Sequence, residues 1–499
     1  MKSGQFSRIF LFLIFCGTIL FVFGCDFLDT SDDSVDPNDF NLPIRNQEYD
    51  LLLYNSLHDR EGDFEQICKE YELETGIKIK NFSVKSNQDY ENALKSQIES
   101  DNKPGIFLVR NLPELLFWEK EGVALDLSLN LEPEFKDFVN SMHKDFLLTS
   151  NDINSFGVPC GIDLNGYLVD IRMINDLVGE KKARSFLDDF TLCSYKEFEI
   201  FIKNLATYIK NPRGMTVILN KKSYEIYEKK EGRLDNLAGI FSMRNKPEYF
   251  IDSVFSVIFS SPLEACRASY QQLDFSKKSM VSFLKLLDFE SANAALPGDG
   301  VGRGAELFDM IYKNPENDTL TDFLNGKSLF LQGSSHDFNS IPDDLLPNIR
   351  ILPKKMPPLE NVDKGYNLKS EKFNTSVSAL VNSYFVINSK ISKKEQKFAL
   401  NFLMWLNTSE KGRKFIAENL KKIPCSGDAK GLCKAFMDYK DFAKTSRGVS
   451  FGVSEPYFEE VSKNHELREF FKKINIESKD YEDVAGSIAE SFKNIKKAG

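Results

Sequence analysis

Tryptophan and histidine are scarce in this chain, with 2 and 4 copies among 499 residues. His58, His143, His336 and His465 stand far apart with no paired spacing, which argues against a dedicated metal site. Glycine-rich phosphate loops are missing too: Gly326-Lys327-Ser328 lacks the earlier glycine that a P-loop requires. Gly300 to Ala305 matches G-x-G-x-x-A, yet Ser291 to Ala295 before it reads as helix where dinucleotide binding needs a strand, so the segment reads as a flexible turn. Gly448 to Gly452 fits G-x-S-x-G, but the preceding Lys444-Thr445-Ser446-Arg447 is too polar for the buried strand of a nucleophile elbow. No catalytic pair, metal or cofactor is therefore expected. A basic stripe is also lacking: 64 basic residues against 74 acidic ones give a net charge of -10, which argues against a nucleic-acid partner.

Apolar residues are plentiful, at 42% of the chain with 12% aromatic, so packed cores are expected. The length exceeds what one ordinary core serves and implies two or three domains. Lys2 and Arg8 precede an apolar run from Ile9 to Phe23 that ends at Gly24-Cys25 and an acidic tract. That is the layout of an export signal, and the run falls short of the roughly 20 apolar residues of a spanning helix. Val22-Phe23-Gly24-Cys25 resembles the lipobox of bacterial lipoproteins, which implies residues 1–24 as signal peptide and Cys25 as the lipidated first residue. A plain export signal and a retained anchor are the competing readings. Residues 25–46, rich in Asp, Ser and Asn, are too polar to bury a face and read as a flexible tether.

Beyond the tether, Leu51 to Tyr54 reads as a buried strand, Phe64 to Leu73 as a helix stopped at Gly76, Ile77 to Val84 as a strand, Asn92 to Ser100 as a helix and Ile106 to Val109 as a strand. This alternation implies a largely parallel sheet with helices on its faces. The pivotal stretch is Gly157 to Asp176. Gly157-Val158-Pro159 ends one apolar run, Tyr167 to Ile171 alternates like a strand, and Gly161, Asp163, Asn165 and Gly166 form a polar break between them. It reads either as a crossover between two lobes, the kind of junction that small-ligand sites favour, or as a hairpin within one domain.

FEQICKEYELETGIKIKNFSV, NALKSQIESDNKPGIFLV and LPELLFWEKEGVALDLS resemble the N-terminal lobe of the family 1 extracellular solute-binding proteins, the maltose-binding-like receptors of ABC importers. GVPCGIDLNGYLVDIRMINDL resembles their first crossover, FLNGKSLFLQGSS the strand with their Gly-Lys-Ala-Met-like signature, and SYFVINSKISKKEQKFALNFLMWLNTSEKGRKFIAENLKKIP their returning strand and helices. The matches run in family order from about Asp50 to Lys497. Pro104-Gly105 replaces the usual Pro-Asp, Ser334-Ser335-His336 stands where an aromatic is common, and Trp118 and Trp405 fall at apolar helix positions rather than on a sugar-stacking platform.

The resemblance implies an α/β, two-lobed periplasmic-binding-protein-like fold (type II, Venus-flytrap) with discontinuous lobes joined by hinge crossovers. Lobe one would take residues 47–161 plus 367–419, and lobe two residues 162–366 plus 420–499. It implies a lipid-anchored, monomeric receptor at the periplasmic or cell surface that passes a small hydrophilic solute, a sugar by preference, to ABC permease subunits. Carried over position by position, the ligand-binding set is Tyr54, His58, Asp59, Arg110, Asn111, Asp163, Ser334, Ser335, Ser383 and Tyr384. Sugar phosphates and peptides are the other solute classes, a scaffold or adhesin lipoprotein is the non-transport alternative, and an exported hydrolase would need the catalytic pair that is not seen. Cys425 and Cys433 flank a glycine-containing loop and are candidates for a local disulfide, with buried free thiols the competing reading. The processing expectation is direct: mass spectrometry of membrane-extracted protein should find lipid-modified Cys25 at the N-terminus, and an unmodified terminus beyond Cys25 would refute it.

Overall fold

The computed structural model describes residues 49–85, 89–110, 112–128, 132–142, 147, 155–228, 232–243, 270–295, 316–358, 374–375, 377–381, 383–425, 463–473 and 475–498. Cys25, Asn111, Cys433 and the Gly300–Ala305 and Gly448–Gly452 motifs lie outside the described residues.

Strand β1 (Leu51–Asn55) is buried along its whole length, β2 (Ile79–Ser83) alternates between buried and more open positions, and β3 (Ile106–Val109) is again wholly buried. Helices Glu61–Thr75 and Tyr90–Glu99 connect them. β1 pairs in parallel with both β2 and β3, and a strand covered on both faces reads as a continuous apolar run rather than an alternating one. Helix Tyr90–Glu99 begins where Asp89 accepts the backbone N–H groups of Glu91 and Asn92, a side-chain N-cap.

The chain then makes β4 (Gly157–Pro159) and β5 (Asp163–Asp170). Later strands are β6 (Met215–Leu219), β7 (Lys222–Ile226), β8 (Gly239–Ser242), β9 (Ser328–Ser334), β10 (Ile349–Leu352), β11 (Ser378–Leu380) and β12 (Tyr384–Ile387). The first five-stranded sheet has the order β2-β1-β3-β12-β4; in the second, β10-β5-β9-β8 is joined by β11 on β5, and β6 and β7 form a separate hairpin. In the first sheet the largely parallel expectation holds for β1, β2 and β3; in the second, β8 and β9 pair in parallel. β12 runs antiparallel to β3 and to β4, because it is the chain returning from the second sheet.

Helices Ile171–Val178, Glu180–Leu192 and Tyr195–Lys210 cover one face of the second sheet: Phe198 packs on Tyr167 and Phe241, Phe190 on Phe330, and Phe186 and Phe201 on each other behind them. Leu164, Leu168 and Leu331 belong instead to the apolar cluster that fills the first sheet, so that cluster runs on from one sheet to the other.

Two sequence readings need correction. The polar stretch Asp163 to Gly166 is no loose connector: β5 starts at Asp163, and all eight of its residues are buried. Gly166 belongs there because a Cβ would lie 2.2 Å from the Leu352 carbonyl oxygen and 3.0 Å from Ile351 Cγ2, so the close approach of β10 admits only glycine. The return boundary also differs from residue 367. β11 is hydrogen-bonded to β5 of the second sheet, and the chain crosses back between Leu380 and Tyr384. Gly166→Ala should therefore destabilise the protein by about 3 kcal/mol through overpacking, measured as the shift in the urea unfolding midpoint, and an unchanged midpoint would refute the close approach.

Candidate functional site

The two sheets are joined by a ribbon whose register never slips. Gly157, Val158 and Pro159 face Val386, Phe385 and Tyr384 in the first sheet, while Asp163, Leu164 and Asn165 face Leu380, Ala379 and Ser378 in the second. Between these pairs the Cys160 N–H donates to the Ser383 carbonyl at 2.9 Å. A further chain segment lies along the other edge. Ile162 and Ile423 exchange both backbone hydrogen bonds at 2.9 Å. Gly161 adopts φ +143, and a Cβ there would lie 2.6 Å from Lys422 Cβ, which brings the third segment against the first.

A buried polar group sits where β5 leaves this ribbon. Asp163 is 1% exposed. Its Oδ2 pairs with Lys422 Nζ, and its Oδ1 accepts from the Ser335 hydroxyl at 3.1 Å. Ser335 Oγ also accepts the Leu164 N–H at 2.9 Å, so one side chain serves both the strand and the carboxylate. Ser334 caps the short helix Ser335–Ser340: its Oγ accepts the His336 N–H at 3.2 Å, and its own N–H donates to Asp337 Oδ2 at 2.8 Å. Asn165, two residues along β5 and on the same side as Asp163, is 3% exposed, and its Oδ1 has no hydrogen-bond partner among the described residues.

The remaining carried-over residues are placed less uniformly. Tyr54 is buried in β1, with its ring stacked on Phe82 at 5.2 Å and its hydroxyl pKa pushed up by burial, a core position. Tyr384 is likewise fully buried on β12, and Ser383 is 5% exposed in the returning crossover. His58 and Asp59 follow β1 at the surface. His58 Nδ1 lies 3.5 Å from Glu61, and Asp59 lies 3.5 Å from Arg60. Arg110, just past β3, spends its guanidinium on Glu114 and Glu91 at 2.6 and 2.8 Å. Asp163, Ser334 and Ser335 thus come together, Ser383 joins them through the ribbon, and Tyr54, His58, Asp59 and Arg110 lie at or beyond the C-terminal ends of parallel strands.

Sequence reasoning missed Lys422, because Lys421-Lys422 after a helix carries no periodic signal. It also missed the Asn55, Asn81 and Ser83 network that closes the ends of β1 and β2. Asn55 Nδ2 donates to Asn81 Oδ1 at 2.7 Å, and Asn55 Oδ1 accepts the Leu57 N–H at 2.8 Å, which fixes the loop carrying His58 and Asp59. Neither tryptophan approaches the ribbon. Trp118 packs on Phe107 in the first core, and Trp405 donates its Nε1–H to Glu74 at 2.8 Å. Cys425 is a buried free thiol whose Sγ–H points at the Pro159 carbonyl 3.9 Å away, and its candidate partner Cys433 lies outside the described residues. Burial pushes the Cys160 thiol up to about 12 against the pull of the Lys422 ammonium.

No family model matches the sequence, and no curated protein does. Solved structures match its fold across most of its length. A family 1 extracellular solute-binding protein from Bifidobacterium longum subsp. infantis superposes with a TM-score of 0.57 at 13% identity, covering 89% of this chain and 98% of its own. One from Alicyclobacillus acidocaldarius gives 0.57 at 13% identity, over 88% and 97%. A Streptococcus pneumoniae solute-binding protein in complex with the blood group A-trisaccharide gives 0.52 at 14% identity, over 89% and 99%. The chain has the fold of the family 1 extracellular solute-binding proteins. In this solute-binding fold no described helix is long and apolar enough to cross a membrane, and no described cluster of His, Cys, Asp or Glu could hold a metal ion.

The second sheet of the solute-binding fold hides one further ionisable group. Glu290 is fully buried, with Tyr167 O–H donating to Oε1 and Gln332 Nε2–H to Oε2. Burial raises its carboxyl from 4.5 to about 7, against the Tyr167 hydrogen bond and the Lys354 charge, which pull it down. A carboxyl whose folded value lies above its unfolded one stabilises the fold fully below pH 4.5 and loses that contribution as pH rises to about 7. Urea midpoints should therefore fall between pH 4.5 and pH 7, by an amount on the order of 2–3 kcal/mol from this group. Glu290→Gln should flatten that fall, and a variant with the parent's slope would show that Glu290 does not titrate there.

Proposed function

We propose that this protein is an extracytoplasmic solute receptor that binds a small hydrophilic solute, a carbohydrate by preference, between two lobes built on the two sheets, closes on it, and delivers it to an ABC importer. The observation that carries this reading is the ribbon: crossings side by side, paired to one another by backbone hydrogen bonds, are a construction on which two bodies can swing while their connection stays intact. The fold supports it, and the blood group trisaccharide bound to the Streptococcus pneumoniae neighbour supports a sugar as the solute class. A solute touching both lobes stabilises the closed arrangement by its differential affinity, with no covalent chemistry required.

In this proposal the contacts come from the strand ends: His58, Asp59 and Arg110 from lobe one, and Ser334 and Asn165 from lobe two. Asn165 offers a buried amide oxygen with an open acceptor site, the kind of group that reads a sugar hydroxyl. Asp163 and Ser335 act behind them as positioning residues, since their polar atoms are engaged with Lys422 and with Leu164. Cys25 would hold the receptor to the membrane through a lipid, with residues 25–46 as its tether.

The test is a thermal-shift screen of sugars, sugar phosphates, polyols and oligopeptides on protein lacking residues 1 to 25, with small-angle scattering on every hit. A true solute at a hundred times its dissociation constant adds about 2.7 kcal/mol of stability. Asn165→Ala should then weaken the hit about tenfold by removing one buried hydrogen bond. A silent panel with no compaction would replace the receptor by a scaffold lipoprotein; normal binding by Asn165→Ala would move the site while leaving the receptor reading in place.

A further inference from the structure

We propose that Cys160 and Cys425 are a redox pair: oxidised, they form a disulfide that ties the chain around Ile423 to the connection between β4 and β5. The proposal needs no solute, so it stands or falls apart from the receptor reading.

Backbone geometry brings the two residues together. Ile162 and Ile423 exchange both backbone hydrogen bonds as an antiparallel pair, and that register, carried two residues outward, sets Cys160 level with Cys425. Gly161, at φ +143, turns the chain between these positions. On one side the Cys160 N–H donates to the Ser383 carbonyl, and on the other the Pro159 carbonyl receives the Cys425 thiol at 3.9 Å. Peptide geometry holds the Cys160 Cα about 2.8 Å from that same oxygen, so the Cys425 sulfur lies within about 7 Å of it. Residues level with each other in an antiparallel hydrogen-bonded pair have Cα atoms about 5.5 Å apart, and disulfides join Cα atoms about 4.4–6.8 Å apart. The register and the bond ask for compatible separations.

Both side chains lie in one apolar cluster, Cys160 at 0% and Cys425 at 5% exposure. Burial raises the Cys425 thiol above its ordinary range, and the neighbouring Cys160 adds to the rise. Thiols held protonated and away from water are inert once packed, so the bond forms as the segments come together, before the site closes. The export signal read at Ile9 to Phe23 would deliver the chain to surroundings where disulfides persist. The chemistry is thiol–disulfide exchange with a small disulfide such as oxidised glutathione. One cysteine thiolate attacks it and releases one glutathione thiol; the second cysteine then attacks the mixed disulfide and releases the other. The two cysteines lose two protons and two electrons, and the glutathione disulfide gains them as two thiols. A covalent tie suits this segment, which arrives through a π-helical turn at Phe415–Asn419 and a left-handed Lys421.

The test is to refold the protein from urea in a glutathione redox buffer, block remaining thiols, and digest it with trypsin without reduction. Cleavage after Lys422 and Lys430 separates Cys425, on residues 423–430, from Cys433, on residues 431–434, while Cys160 lies on residues 145–172. Mass spectrometry should find residues 145–172 joined to residues 423–430, and dithiothreitol should lower the urea unfolding midpoint of the oxidised protein. Cys433→Ser should keep both the linked peptide and the sensitivity to dithiothreitol; Cys160→Ala should lose both. If Cys160→Ala does not fold, Cys425→Ala carries the same comparison, and the peptide map of the parent needs no variant. A link from Cys425 to Cys433, or blocked thiols at both Cys160 and Cys425, would overturn the proposal. So would a Cys160→Ala midpoint that falls with dithiothreitol as far as the parent's.

Discussion

Everything in this molecule hangs on backbone hydrogen bonds made between chain segments in transit from one sheet to the other. A single strand leaving a sheet would carry unpaired N–H and C=O groups through a partly buried region, and each such group costs about 1–3 kcal/mol. Here Gly157 to Pro159 pair with Tyr384 to Val386, the Cys160 N–H bonds the Ser383 carbonyl, and Asp163 to Asn165 pair with Ser378 to Leu380 in the same register. Ile162 and Ile423 add a paired edge on the other side. Register then does the rest. A slip of one residue would turn Leu164 and Leu168 away from the cluster they share with the first sheet, and would push Asp163 and Tyr167 into it.

Polar groups close to this ribbon are handled by pairing. Ser335 bridges a strand amide and a carboxylate, Lys422 neutralises that carboxylate, and the Asn55, Asn81 and Ser83 side chains saturate one another at the ends of β1 and β2. Deeper in the second sheet, Glu290 receives two neutral donors, and desolvation dominates its proton affinity. The same kind of carboxyl therefore meets different surroundings: Asp163 is paired with the Lys422 ammonium, whereas Glu290, between Tyr167 and Gln332, has its proton affinity raised by burial. Near the ribbon the Asn165 amide oxygen is buried with no hydrogen-bond partner among the described residues, which is why the proposed solute contact is placed on it rather than on Asp163.

Local pattern made much of the first sheet readable. Continuous apolar runs at Leu51 to Tyr54 and Ile106 to Val109 announce strands buried on both faces, and the apolar spacing of Phe64, Ile67, Cys68 and Tyr71 announces the helix between β1 and β2. Asp163 to Gly166 misled, because turn-forming residue types describe a loop only when nothing else claims them. Here Leu352 presses on Gly166, Ser334 lies opposite Asn165, and the stretch becomes a central strand.

By itself, then, the sequence determined the order of strands and helices, the apolar faces that must be covered, and the place where the chain leaves the first sheet, because these follow from spacing within a dozen residues. Only the tertiary structure decided which polar residues are partners. Lys422 lies 259 positions from Asp163, and Ser335 lies 172. At such separations no periodicity links the residues, and the pairing arises from the packing of chain segments that meet only in the folded chain.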